Sequence, residues 1–132
     1  MILEIDDNKR TTDLQDQFNK SFPYLRIEFY PHVHKKQSPV NIIAGDELIG
    51  NIRKKHESGT LEIKSIFTIQ KLIKDLKQLF GLYIRVYRLH NDQWMPVNEE
   101  NVTLQELSNL AEVSIQKSSD IINAVGEDEV YY

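Results

Sequence analysis

"TLEIKSIFTIQKLIKDLKQLFGLYIRVYRLH", residues 60 to 90, sets two different periodicities side by side. Leu61 and Ile63 alternate with Glu62 and Lys64, the two-residue repeat of a half-buried strand. Thr68 then stands at an N-cap position, and Ile69, Leu72, Ile73, Leu76, Leu79 and Phe80 form one apolar stripe. Lys71, Lys74, Asp75 and Gln78 fill the opposite side, so the spacing predicts an amphipathic helix over 69–80. Gly81 falls where a left-handed C-cap requires the absence of a side chain. "LYIRVYRL" resumes the two-residue alternation with Ile84 and Val86 inward. The segment reads as strand, helix, strand.

Downstream, "HNDQ" makes a turn and "WMPV" returns as a short strand, which Pro96 confines to an edge or a bulge. After "NEEN", Thr103 caps a helical turn, "LQEL". Residues 111–132 follow as a C-terminal extension with weak helical order. Upstream, "TTDLQDQFNKSFPYL" carries Thr12 and Gln15 at capping-box spacing and Leu14, Phe18 and Phe22 at helical spacing before Pro23, which predicts a helix over about 12–22. "LRIEFY" alternates Leu25, Ile27 and Phe29 against Arg26, Glu28 and Tyr30. Residues 31–59 read as a long connection with one short helix, capped by Asp46, that turns Leu48, Ile49 and Ile52 inward despite Gly50. No repeat with a period of about 20–50 residues is visible.

The chain of 132 residues has the size of one domain, for which roughly two thirds of the unfolded surface can be buried. We expect a single α+β domain over residues 1–110. Hydrophobic residues make up 40% and charged residues 27%, the balance of a folded globular chain. The net charge of −4 argues against a domain built to grip a phosphate backbone. The absence of cysteine excludes a thiol nucleophile, a disulfide framework and thiolate metal sites. "MILEIDDNKRTTD" lacks the basic flank and apolar run of a signal peptide, so a cytoplasmic location is the expectation.

"LFGL" at 79–82, Asp92 and Trp94 around the turn, and Glu99 and Glu100 ahead of "TLQEL" resemble the second half of the Phox/Bem-type interaction domains. The element order is similar to the ubiquitin-like β-grasp. That resemblance implies a four-stranded mixed sheet packed on one main helix, with a β-grasp core over about 25–107 and an extra N-terminal helix. It also implies a docking role for the acidic loop. "FPYLRIEF", "LIGNIR" and "FGLYIRVYR" are similar as well to a family of small bacterial α+β proteins, which implies architecture and no mechanism.

None of the recognisable catalytic motifs occurs, and the candidate general acids Asp92, Glu99 and Glu100 lie in polar loops. The preferred reading is a non-catalytic protein-protein interaction module, requiring no cofactor. Lys71, Lys74 and Lys77 on the long helix face the acids Glu99 and Glu100 in sign, a division that permits self-association through charged faces. One alternative is an accessory protein binding phosphate or nucleic acid through Lys35, Lys36, Arg53, Lys54 and Lys55, which bracket the long connection. A second alternative is a small enzyme using the loop carboxylates near Trp94. His32 and His34 would share one side of an extended segment, with His56 or His90 needed as a third ligand, and the expectation is that they bind no metal.

Overall fold

The computed structural model describes residues 1–31 and 42–111. In chain order the elements are β1 (Ile2–Ile5), α1 (Thr11–Ser21), β2 (Leu25–Tyr30), α2 (Ile49–Ile52), β3 (Gly59–Glu62), α3 (Ile69–Phe80), β4 (Tyr83–His90) and β5 (Gln93–Pro96). A further helix, α4, covers residues 104–111. The fold is α+β, with two antiparallel sheets: β1 pairs with β3, and β2, β4 and β5 lie in that order.

The single four-stranded mixed sheet expected from the β-grasp resemblance is therefore not formed. β3 pairs instead with β1, a strand for which the sequence reading had no place. The reason lies at β2, whose edge away from β4 is already occupied. Gln15 Nε2 donates to the carbonyl of Ile27 and Asn19 Nδ2 to that of Leu25, each at 2.9 Å. The Ile43 amide donates to Phe29 O at 2.8 Å. With its outward carbonyls satisfied by side chains of α1 and by one loop amide, β2 offers no ladder to a further strand.

α3 follows its sequence pattern closely. Thr68 Oγ1 accepts the amide of Lys71, and Gly81 closes the helix at φ 64° with its N–H on the carbonyls of Leu76 and Lys77. Ile69, Leu72, Leu76 and Phe80 are buried, but Leu79, expected in the stripe, is 50% exposed. It lies about 100° around the helix from Phe80 and misses the core-facing arc. α1 starts one residue earlier than expected and uses a different box: the Asp13 carboxylate accepts from the Arg10 amide at 2.8 Å. Gln15 is thereby free to reach β2. α2 is a single turn behind Leu48, so Asp46 is not its cap. The Asp46 carboxylate instead accepts from Thr12 Oγ1 at 2.8 Å.

The arrangement contains an internal duplication. Leu3, Ile5, Leu14, Phe18 and Phe22 recur at one constant step as Leu61, Ile63, Leu72, Leu76 and Phe80, and all ten belong to the same buried cluster. The backbone bonds recur with them. Thr11 N to Glu47 O, Ile49 N to Lys9 O and Gly50 N to Asp7 O have as counterparts Ile69 N to Val102 O, Leu104 N to Phe67 O and Gln105 N to Ser65 O. Ile43 N to Phe29 O is matched by Val97 N to Val86 O. Even the isolated bridges correspond, Arg10 with Leu48 and Thr68 with Thr103, each leading into a short helix.

The strand pairs joining the halves are self-complementary. In β1–β3, Leu3 faces Leu61, its own counterpart. In β2–β4, Glu28 faces Arg85, while Ile27 faces Val86 and Phe29 faces Ile84 in reciprocal fashion. Such registers are what an isologous two-fold interface produces. The described residues thus form two related units, β1-α1-β2-α2 and β3-α3-β4-β5-α4, about a pseudo-two-fold axis, which passes through the Leu3–Leu61 and Glu28–Arg85 pairs.

Candidate functional site

The pseudo-axis gives the molecule two related grooves, one beside α1 and one beside α3. The first holds a cleft of about 260 Å³ lined by Thr12, Gln15, Asp16, Asn19, Arg26 and Trp94. It continues into a hollow of about 560 Å³ bounded by Glu28, Ile43, Gly45 and Asp46. Gln15 and Asn19 line it because they hold the edge of β2. Arg26 Nε reaches Glu28 Oε1 at 2.6 Å, and its guanidinium carbon lies 5.9 Å from the centre of the Trp94 ring. Trp94 arrives from β5, in the other half. The sequence reading singled out Trp94 and missed Asp16 and Arg26, since strand alternation shows only that Arg26 faces away from the core.

The second groove occupies the corresponding place. Ile73, Lys74, Lys77, Gln78 and Glu100 line one part, of about 250 Å³, and Ile73, Arg85, Val97, Asn98 and Glu100 an adjoining part of about 270 Å³. Arg85 donates to Asn98 Oδ1 there. Lys77 Nζ sits 5.5 Å from the centre of the Tyr83 ring. Lys71 is bound to Asp75 at 2.9 Å and lies over Phe67.

Corresponding positions of the two halves differ in sign. Asp13 and Asp16 on α1 stand where α3 has Lys71 and Lys74, and Glu28 on β2 stands where β4 has Arg85. Asp16 and Lys74 are both exposed. Among the described residues neither is in an ion pair or a side-chain hydrogen bond.

The expected acidic loop is solvated throughout. Asn91 and Asp92 form its turn with φ of 50° and 64°, the left-handed pair of a two-residue hairpin. Asp92, Glu99 and Glu100 are exposed, and Trp94 is half-buried. Only Glu100 borders a groove; Asp92 and Glu99 lie outside both.

The proposed basic patch divides. Lys35 and Lys36 lie outside the described residues, as do His32 and His34. Lys54 is exposed. Arg53, by contrast, is withdrawn from any surface, its side chain 0% exposed. It donates to Asp7 Oδ1 at 3.0 and 2.8 Å, to Glu57 O at 2.7 Å and to Phe80 O at 3.0 Å. Lys55 Nζ donates to Gln78 O at 2.9 Å. Both cations therefore serve the C-terminus of α3, where free carbonyls and the negative end of the helix dipole attract them. His56 Nδ1 lies 2.8 Å from Asp7 Oδ2. The hydrogen bond to His56, and then those from Arg53, hold the Asp7 carboxyl below its ordinary 3.8 against the opposing effect of burial.

Among the described residues no group of three or more histidines and carboxylates is placed to hold a metal ion, and no helix is long and apolar enough to cross a membrane. No protein-family model, curated protein or solved structure matches the chain.

Proposed function

We propose that the protein is a non-catalytic protein-interaction module, working in the cytoplasm, that receives partner segments along the two grooves flanking its pseudo-axis. The observation that carries this reading is the opposite charge at corresponding exposed positions, Asp16 on α1 against Lys74 on α3. Charges that serve only solubility have no reason to separate by sign between two copies of one unit, whereas docking surfaces do, because complementary potentials select and orient partners. The form of the grooves agrees. The cleft at Trp94 shares Thr12, Gln15 and Arg26 with the neighbouring hollow, and the two together make an open trench suited to a length of polypeptide. Trp94, half-buried beside Arg26, supplies the kind of amphipathic aromatic surface on which docking energy concentrates.

The test is retention of partners from an extract of the protein's own cell by the tagged wild-type chain and by Asp16→Lys and Trp94→Ala variants. Both changes are at accessible positions and leave the core intact. Proteins held by the wild type and lost by the variants support the groove as the docking surface. An identical set held by all three sinks it.

A further inference from the structure

Resting on that reading, we infer that the partner of the two grooves is a second copy of this chain, the α1 face of each copy meeting the α3 face of the other. Asp13 and Asp16 are three residues apart and so share a face of α1; Lys71 and Lys74 share the corresponding face of α3. The pseudo-axis makes the two faces alike in shape and position, and their charge makes them opposite. A foreign partner for both would have to carry one basic and one acidic surface at the same separation. The chain itself meets that requirement.

Lys71 and Asp13 are partly engaged already, through Asp75 and through the Arg10 amide. Asp16 and Lys74 are the members left to a partner, and the contact centres on them. Trp94 and Arg26 beside the first face, and Leu79, 50% exposed at the end of α3, supply apolar surface at its margins. The association is driven by solvent-exposed charge, so it is weak and it weakens with salt as screening shortens to a few ångströms.

Two reversed variants test it, Asp16→Lys and Lys74→Asp. The first sets a lysine against Lys74 of the other copy, and the second sets an aspartate against Asp16. Analytical ultracentrifugation at low salt is expected to show the wild type associating, each variant alone at least about tenfold weaker because like charges now meet, and the equimolar mixture restored. High salt is expected to dissociate the wild type and the mixture alike. Unchanged thermal melting of each variant would establish that the fold is intact. A wild type that stays monomeric at low salt and high concentration overturns the inference, and so does a mixture that associates no better than its components. In the first case, partners still captured from extract by the wild type and lost by Asp16→Lys would leave the broader reading standing with a different occupant.

Discussion

The hydroxyls of Tyr30 and Tyr87 meet at 3.0 Å, each the counterpart of the other, 57 residues apart, across the pseudo-axis. Both rings are buried, on the sheet face that also carries Glu28 and Arg85. Burial, followed by the bond to Tyr87, pushes the Tyr30 phenol well above its ordinary range, so the Tyr30 hydroxyl stays protonated at physiological pH. Each hydroxyl is the other's partner, which makes the two positions interdependent. Tyr30→Phe should leave the Tyr87 hydroxyl without that bond and cost about 1–3 kcal/mol. The double change to phenylalanine should cost less than the sum of the singles. Urea denaturation of the four members of this cycle checks it; strictly additive losses would mean the bond contributes nothing.

Arg53 joins the β1–α1 loop, the segment before β3 and the end of α3 through one buried guanidinium. Arg53→Ala removes donors from Glu57 O and Phe80 O and unpairs Asp7 on one side. Leaving a buried acceptor without its donor costs about 1–3 kcal/mol, and the loss here should come mainly from the Phe80 carbonyl, because the Asp7 side chain is 39% exposed and keeps His56. Arg53→Lys should recover only part of it, since an ammonium cannot span three groups held by a planar fork. Equal stability of the lysine variant and the wild type would refute the three-way bridge.

The same cluster sets a dependence on acid. The Asp7 carboxyl titrates lower in the folded chain than its ordinary 3.8. The ionised form is therefore the one the fold favours, and its contribution is complete above that value. It is lost as pH falls through the depressed folded value. Asp7→Asn should accordingly flatten the decline of the melting temperature on acidification below about pH 4. Curves that remain parallel from neutral pH downward would show that Asp7 has no part in it.

How much of this was open to sequence reading depends on the kind of pattern involved. α3 declares itself because Thr68, the stripe from Ile69 to Phe80 and Gly81 all act locally, and the same holds for β2 and for the Asn91–Asp92 turn. β1 escaped because "ILEI" is only four residues long, with a single polar residue to show the alternation. The duplication escaped because "LEI" recurs at 3–5 and 61–63 amid otherwise unlike residues, and because the step changes at "FPY" against "FG". What the halves share is a set of backbone bonds and apolar positions, which many side chains satisfy. The site is hidden for a related reason. Asp16 and Lys74 look like ordinary solvated positions until the fold puts them in correspondence, and Arg53 in "RKKH" looks like surface charge until the end of α3 is seen to lie over it.

Gly81 carries a last prediction. Its φ of 64° lies in the left-handed region, and a Cβ placed there would come 2.7 Å from Lys55 Cβ. Gly81→Ala thus meets two separate costs, the left-handed backbone penalty of about 1–2 kcal/mol and the displacement of Lys55. Lys55 holds the Gln78 carbonyl, so the substitution should also loosen the last turn of α3. Amide exchange is the measurement that separates these effects. Faster exchange at Leu82, whose N–H reaches back to Leu76 O at 3.0 Å, should exceed what the global loss of stability explains. If the added exchange matches the global loss and no more, the helix end is not held by Lys55 in the way described.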